Sequence, residues 1–376
     1  IPSESVKTLS WEYESNKLAF HKDGKWLYDE DKAFPVDEEK INNLLDQFKE
    51  FGVSFIIEDV EDFGQYGLDD PICTIKFSTD EKSYEVLLGD YSVMDSQRYV
   101  SIGDGNVYLV KNDPLDYFDA VLSDMIKHDE TPKFSNAKVS VTDIKFAGSE
   151  NYIITYEENS TNTYNSDDVY FAEIAGNRKP LDTTKVKSYL REIRNLSLSN
   201  YVTYNVSDGD LKKYGLDSPE LTVTVNYITE NDDDEKISDV FVLNVSRDPE
   251  ELKNVKDSDN EEDGDSKDDK ITAYARIGQS QIVYQITPDE YKELMAASYN
   301  SLRHDKVIWA DFSDINQLDI ALEGNEYTIT SKKDDDERTY YYLEEELDID
   351  DFKRTLLNLI CDSFTDENLL KIKKSV

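Results

Sequence analysis

One six-residue phrase occurs twice in this chain, as YGLDDP at 66–71 and as YGLDSP at 214–219. An amphipathic helical pattern precedes each copy, and alternating strands, a hairpin and a closing helix follow it. A supersecondary unit repeated in this way restricts the chain to a tandem architecture. Glycine after the tyrosine supplies the left-handed residue that ends a helix, and proline suits the start of the next strand. We therefore interpret the phrase as structural. Its residues are Tyr66, Gly67, Leu68, Asp69 and Pro71 in the first copy and Tyr214, Gly215, Leu216, Asp217 and Pro219 in the second.

Three helices are predicted to begin in the same way. Asp37, Asp182 and Asp348 occupy the predicted N-cap positions, where a carboxylate can accept the unpaired N–H groups of the first turn. Each has an apolar residue directly before it and another four positions after it, which is the arrangement of a hydrophobic staple. No third copy of the phrase follows the third helix, so the C-terminal segment is predicted to be a half repeat.

These patterns predict an α+β fold, a tandem repeat of mainly antiparallel sheets that are each covered by a capped helix. The predicted first repeat is 1–130, the second is 131–309 and the C-terminal half repeat is 310–376. The second repeat carries an acidic insertion at 248–270 between two of its strands. Because the insertion has few apolar side chains to offset the entropy lost on ordering, it is predicted to be a mobile loop.

Charge limits the classes of partner. The chain has 82 Asp and Glu residues against 41 Lys and Arg residues, a formal net charge of −41. Such a field repels phosphate backbones and anionic headgroups, so neither nucleic acid nor direct lipid binding is expected. Cations, basic proteins and neutral ligands are left as partners. No stretch reaches the ~18 apolar residues of a membrane span. Cys73 and Cys361 are predicted to be small core residues, so no disulfide framework, zinc site or other cofactor is expected.

The order of aromatic strands, capped helix, Y-G-L-D-x-P phrase, strands and IG…VY hairpin resembles the bacterial domain of unknown function 4340. The likeness covers both full repeats, although Tyr170 replaces a tryptophan and the acidic insertion is additional. The resemblance implies an extracytoplasmic protein that is held by an N-terminal signal anchor and accompanies ABC-transporter or gliding-type components. Because the chain begins at Ile1, such an anchor is expected to precede it. The family has no established catalytic residues, so the resemblance implies none here.

The acidic insertion is the first candidate for chemistry. Asp259, Glu261 and Asp263, followed by a glycine, are similar to the first half of a D-x-D-x-D-G calcium loop. The twelfth position is Lys270, where such a loop needs a bidentate glutamate. A solvated loop is therefore the competing interpretation of these three acids, which are a weak metal candidate.

Two histidines and several aromatic residues are further candidates. His128 and His304 each precede an aspartate, and a His-Asp pair can act as a general base. The same positions also suit the negative ends of the closing helices, and no Ser or Cys nucleophile accompanies them in the sequence. Aromatic runs are predicted either to pack in cores or to form a surface on which sugars stack. These aromatic residues are Trp26, Tyr28, Tyr340, Tyr341 and Tyr342.

The sequence favours a non-enzymatic binding or scaffold protein outside the cytoplasm, an accessory of a membrane transporter or cell-surface complex with a protein partner. Two alternatives remain at this point. One is a glycan-active enzyme with paired carboxylates, and the other is a calcium-dependent adhesion module. Oligomeric state and ligand identity do not follow from the sequence.

Overall fold

The computed structural model describes residues 5–49, 52–134, 139–231, 234–257, 271–334, 337–362 and 364. The chain forms two compact units. The first consists of Ile1–Glu130, Ser197–Leu211 and Gln279–Gln285. The second consists of Thr131–Leu196, Lys212–Gly278 and Ile286–Val376. Both units are therefore discontinuous in sequence.

An antiparallel sheet of eight strands, in the order β3-β2-β1-β5-β6-β7-β8-β4, dominates the first compact unit. Its strands are β1 Thr8–Tyr13, β2 Asn16–Asp23, β3 Lys25–Tyr28, β4 Val53–Ile57, β5 Cys73–Ser78, β6 Ser83–Ser92, β7 Gln97–Ser101 and β8 Val107–Val110. Two α-helices, α1 Glu38–Asp46 and α2 Leu115–Phe118, and the short 3-10 turns Gly64–Tyr66 and Leu122–Met125 accompany the sheet.

Alternation along these strands builds the core of the first unit. Alternate side chains such as Leu9, Trp11 and Ile75 are buried, since successive residues of a strand point to opposite faces. Phe48, just after α1, stacks on Phe77 of β5 with ring centroids 5.0 Å apart. The end of α1 therefore contacts the sheet through aromatic rings.

The rest of the chain contributes thirteen strands and five α-helices among the described residues. The strands are β9 Val139–Ala147, β10 Tyr152–Tyr156, β11 Tyr170–Ile174, β12 Asn177–Pro180, β13 Tyr201–Thr203, β14 Leu221–Glu230, β15 Lys236–Arg247, β16 Ala273–Ile277, β17 Val283–Ile286, β18 Gln317–Leu322, β19 Asn325–Asp334, β20 Glu337–Tyr342 and β21 Glu345–Leu347. The helices are α3 Thr183–Asn195, α4 Pro249–Asp257, α5 Pro288–Met295, α6 Tyr299–Leu302 and α7 Asp350–Leu357. Within the described residues, no helix is long and apolar enough to cross a membrane.

The second compact unit contains the strand order β12-β11-β10-β9-β14-β15-β16. The run β11-β10-β9-β14-β15-β16 has the same sequential pattern as β3-β2-β1-β5-β6-β7 of the first unit, and β12 is an additional strand at the edge. In the same way, β17 pairs antiparallel with β13 as β8 pairs with β4. Mostly antiparallel sheets with few helices make this an α+β protein, and at this level the predicted fold class is confirmed.

A four-stranded antiparallel sheet, in the order β18-β19-β20-β21, also belongs to the second compact unit. Phe312, Ile329, Tyr340 and Ile349 form its small core, against which Phe352 of α7 and other apolar side chains pack. The Tyr340 hydroxyl donates to the Phe312 carbonyl at 2.5 Å, so the buried phenol is hydrogen-bonded.

Local side chains define the starts of the helices. Asp37 Oδ1 accepts the Glu39 N–H at 3.0 Å, and Asp182 Oδ1 accepts the Thr184 N–H at 2.9 Å. At α7 the N-cap residue is Ile349, one position later than predicted, and Asp348 Oδ1 accepts the Asp350 N–H at 2.9 Å. The predicted N-cap at Asp348 is therefore wrong by one residue, because the helix begins only at Asp350.

The repeated phrase has the same local geometry in both copies. The 3-10 turns end at Tyr66 and at Tyr214, and the glycines that follow have φ of 67° and 69°. The leucine after each glycine is buried, with 4% and 5% of its surface exposed, and the aspartates of the phrase are exposed. Because only glycine adopts a positive φ at little cost, each copy ends a turn at a position where a side chain is disfavoured.

We expect Gly67→Ala to lower the free energy of unfolding of the first compact unit by about 2–4 kcal/mol. A left-handed backbone costs an L-residue ~1–2 kcal/mol. In addition, a Cβ at this position would lie 2.6 Å from Asp90 Cγ and 2.8 Å from Asp90 N. Gly103→Ala is the matched control, because Gly103 has a φ of +77° but no heavy atom within 4 Å of its added Cβ. Urea unfolding measures both variants, and equal losses would show that the contact with Asp90 contributes nothing.

Candidate functional site

The aromatic residues proposed as a sugar-stacking surface are mostly in the cores. Trp26, Tyr28 and Tyr340 are only 2%, 5% and 2% exposed. Tyr341 and Tyr342 are half-buried on β20. The interpretation as a ligand surface is therefore wrong for Trp26, Tyr28 and Tyr340, because the alternation of their strands turns these rings inward. For Tyr341 and Tyr342 it stays a prediction.

The calcium candidates Asp259, Glu261 and Asp263 lie outside the residues that the structure describes. The start of the insertion is described, and residues 249–257 form α4. Asp248 Oδ1 accepts the Glu250 N–H at 2.8 Å, and Glu251 Oε2 accepts the Thr272 N–H at 2.9 Å. The predicted mobile loop is therefore wrong for this first part, where a capped helix is joined by hydrogen bonds to the start of the next strand. Over the described residues, no group of three or more metal-ligating side chains is present.

The two cysteines differ in how deeply they are buried. Cys73 on β5 is fully buried, and burial raises its thiol pKa to about 12, so it is the predicted core residue. Cys361 is only half-buried and lies beyond the end of α7 at Leu357. The prediction that Cys361 is a small core residue is therefore wrong.

A cluster of ionisable side chains in the second unit surrounds His304. The ring is buried, and its Nε2 lies 2.9 Å from Asp168 Oδ1 while its Nδ1 lies 3.6 Å from Asp182 Oδ2. The neighbouring Asp305 instead binds Lys185 Nζ with both carboxylate oxygens at 2.7 Å. The sequence had suggested a pair between His304 and the aspartate beside it, and the structure assigns two other carboxylates to the ring.

Asp168 reaches His304 from a long loop. Residues 157–169 connect β10 to β11, and the loop is closed at its base by the Glu157 N–H donating to the Val169 carbonyl at 2.9 Å. Asp168 is 2% exposed, and its Oδ2 accepts the N–H groups of Tyr164 and Asn165 at 2.9 and 3.1 Å. One buried carboxylate therefore organises the loop and contacts the histidine.

The first residue of α3 also fixes this loop. The Thr183 hydroxyl donates to the Asp167 carbonyl at 2.9 Å and accepts the Val169 N–H at 3.1 Å. The loop and the start of α3 are thus hydrogen-bonded on both sides of Asp168. Sequence reasoning missed this arrangement, although the run of Ser, Thr, Asn and Asp between two strands was a signal for an extended loop.

An open pocket of about 690 Å³ lies between the loop, β9, β10, β11 and the first turns of α3. Among its lining groups are the side chains of Asn159, Asp167, Thr184 and Lys187. None of these four side chains hydrogen-bonds to another residue that the structure describes, so an amide, a carboxylate, a hydroxyl and an ammonium group are free to bind a ligand. The pocket thus offers both donors and acceptors.

Tyrosine rings form another part of the pocket wall. Tyr156 and Tyr170 pack edge to face with centroids 5.4 Å apart. The Tyr156 hydroxyl donates to Glu158 Oε1, and this hydrogen bond, with burial, raises the pKa of Tyr156 to about 12. The tyrosine is therefore neutral at physiological pH, and 38% of its surface is exposed.

Two stretches of the chain, residues 26–219 and 177–372, match the family model described as Domain of unknown function (DUF4340). The chain belongs to the DUF4340 family. The two matches overlap at 177–219, which is consistent with tandem copies, so the resemblance inferred from the sequence is confirmed. No curated protein and no solved structure matches the chain with significance.

In the first unit of this DUF4340 chain, the described surroundings of His128 differ from those of His304. β2 and β3 are joined through Gly24 alone, so no loop like 157–169 exists there. His128 is half-buried, and its Nδ1 has no hydrogen-bond partner among the described residues. Burial, together with the nearby Lys40, lowers the pKa of His128. Asp129 accepts from the Tyr284 hydroxyl at 3.2 Å rather than pairing with His128.

The contacts of His304 limit the chemistry that this side chain can perform in the DUF4340 chain. Cys361 and His304 line the same small cavity. The expectation that no cysteine accompanies a histidine is therefore wrong for His304. Both ring nitrogens of His304 face carboxylates, however, and the nearer contact is with a buried aspartate. The ring is therefore held in place by acids, which favours a positioning role over proton transfer from a nucleophile.

Proposed function

We propose that this chain is a non-enzymatic, extracytoplasmic binding protein, and that its second repeat binds a neutral, hydroxyl-rich ligand in the pocket at the start of α3. The observation that carries the proposal is the set of unpaired polar side chains in that pocket. A carboxylate, an amide and a hydroxyl can each hydrogen-bond to the alternating hydroxyl groups of a sugar. The exposed part of Tyr156 adds an apolar surface against which a sugar ring can pack.

Charge supports a neutral ligand rather than an anionic one. Glu158 and Asp167 line the pocket with Lys187 as their counterpart, in a chain whose net charge is −41. Neutral sugars avoid the repulsion that phosphate-rich polymers would meet. The same field suits a basic surface on a protein partner.

The architecture that we propose for this function is a tandem pair of one sheet-and-helix unit followed by a half repeat. The matching strand orders and the aspartates that accept from the first turns of α1 and α3 support it. In this arrangement the second copy differs from the first by the 157–169 loop. Because the loop forms part of the pocket wall, we propose that only the second copy carries this binding site.

A location outside the cytoplasm, as an accessory of a transporter or cell-surface complex, is the second part of the proposal. The family resemblance supports it, and a protein partner at the membrane or cell surface follows from it. Crosslinking in native membranes tests this part. Recovery of the chain only from the cytoplasmic fraction would contradict it.

The ligand proposal is tested with immobilised neutral oligosaccharides and the full chain. We expect Thr184→Val and Asn159→Ala each to weaken binding about 5–10-fold, because one hydrogen bond contributes ~1 kcal/mol. Thr224→Val is the control, since Thr224 lies half-buried on β14 and is not among the residues of the pocket. If no neutral glycan binds, or if both pocket variants bind as tightly as the control, the proposal fails.

The same experiment separates binding from catalysis. Glu158 and Asp167 both line the pocket, which is the observation that favours a glycan-active enzyme as the second candidate. Cleaved oligosaccharide that is lost in the double variant Glu158→Gln, Asp167→Asn would establish that candidate. Intact glycan after prolonged incubation, with saturable binding, supports the binding protein.

A further inference from the structure

A second cavity, of about 250 Å³, lies beside His304 on the side of α6 and the following segment. Its lining includes three aromatic residues and two cations, which are Tyr299, Trp309, Phe364, Arg303 and Lys306. The proposed sugar pocket shares none of these residues. The cavity is below the ~300 Å³ of a typical drug-sized pocket, so it suits a ligand with about one ring.

Both cations in this cavity contact aromatic rings. The Arg303 guanidinium carbon lies 5.1 Å from the Tyr299 centroid and 4.1 Å from the Phe364 centroid. Lys306 Nζ lies 4.7 Å from the centroid of the Trp309 ring. Cation–π contacts hold the charged groups in place without using their N–H donors. The donors of both side chains are therefore available to an acceptor.

Neither cation has an acidic partner within the described residues. This is notable in a chain with 82 acidic and 41 basic residues. One acid, Asp305, also lines the cavity, but Lys185 Nζ binds both of its carboxylate oxygens, and the buried Asp168 pairs with His304. The cavity is consequently a local cationic site in a strongly acidic protein.

We propose that this cavity binds a small organic carboxylate with a flat apolar body. A guanidinium group presents a planar fork that matches a carboxylate, and Lys306 adds a second positive charge. Tyr164 and Trp309, whose rings stack with centroids 5.6 Å apart, supply a flat surface for the body of the ligand. The overall negative field does not prevent this, since at physiological ionic strength it is screened over ~8 Å.

Fluorescence of Trp309 provides the test, with benzoate as the probe. The other two tryptophans, Trp11 and Trp26, are 1% and 2% exposed in the first compact unit and are not expected to respond. Titration of the full chain should change the Trp309 emission saturably, and added salt should weaken the binding. Benzyl alcohol, which has the same ring without the charge, and inorganic phosphate, which has the charge without the ring, should each bind at least tenfold more weakly.

Variants separate this site from a general effect of charge. Arg303→Gln should weaken benzoate binding at least tenfold. Lys306→Gln should weaken it severalfold, and this second variant tests the site if Arg303→Gln fails to fold. Lys332→Gln is the matched control, because Lys332 Nζ also lies over a ring, 5.1 Å from the Tyr341 centroid, and is outside the cavity. Absence of a saturable change, equal affinity for phosphate, or equal binding by Arg303→Gln and Lys332→Gln would overturn the proposal.

Discussion

Replacing Asp113 with alanine is expected to lower the free energy of unfolding of the first compact unit by about 3–5 kcal/mol. Arg98 Nε donates to Asp113 Oδ1 at 2.6 Å, and the two side chains are only 8% and 14% exposed. Arg98 Nη1 also donates to the Gly89 carbonyl at 2.8 Å, which keeps the guanidinium group in place. Without Asp113 a buried positive charge would lack its counterion. The start of α2 would lose an acceptor too, since Asp113 Oδ1 accepts the Leu115 N–H at 3.0 Å.

Urea unfolding, followed by near-ultraviolet circular dichroism, measures this loss. Asp80→Ala is the control, because Asp80 is 81% exposed and lies 3.8 Å from Lys7, and exposed pairs contribute ~0–1 kcal/mol. The double variant Arg98→Met, Asp113→Ala should regain part of the stability, since removal of both charges leaves no unpaired ion. A loss no larger than that of Asp80→Ala would show that the pair does not stabilise the unit.

Asp168→Ala is expected to lower the free energy of unfolding of the second compact unit by about 3 kcal/mol or more, and to abolish the proposed ligand binding at the pocket beside the loop. The carboxylate accepts two part-buried backbone N–H groups and contacts the buried His304 ring, and a buried donor left without a partner costs ~1–3 kcal/mol. Because the 157–169 loop forms part of the pocket wall, its loss of order removes the arrangement of Asn159 and Asp167.

The neighbouring residue gives a matched control. Asp167 is exposed, and its side chain has no hydrogen bond to a residue in the described part of the chain, so Asp167→Asn should change stability by less than ~0.5 kcal/mol. The same variant should still weaken ligand binding, because Asp167 lines the pocket. Thermal unfolding and oligosaccharide binding, measured on both variants, distinguish the two roles. Similar stability of both variants would refute the organising role of Asp168.

Features that depend on a few neighbouring residues were predictable here. The left-handed glycine at 67 follows from a helix end within one phrase, and the capping box of Thr287 and Glu290 follows from a spacing of three residues. The alternation that buries Trp11 and Ile75 was also visible, because a strand with one buried face repeats every two residues.

Features that depend on distant residues were not predictable. The sequence placed His304 beside Asp305, yet the buried partner is Asp168, which lies 136 residues away. Trp26 and Tyr340 could have formed either a surface or a core, and only the packing of their sheets decided that both are buried. The hydrogen-bond partner of a buried side chain depends on which distant segment the fold places beside it.

The sequence by itself determined that this chain is a member of the DUF4340 family, with two overlapping matches to the family model, and that its sheets are mostly antiparallel in an α+β fold. Local hydrogen bonds, backbone preferences and strand periodicity act over a few residues, so they can be read along the chain. Only the tertiary structure decided that the loop at 157–169 and the start of α3 meet around Asp168, with His304 on the buried carboxylate. The physical reason is that a buried charge is stable only where it is paired or hydrogen-bonded, and here one of the partners, His304, comes from a distant segment of the chain.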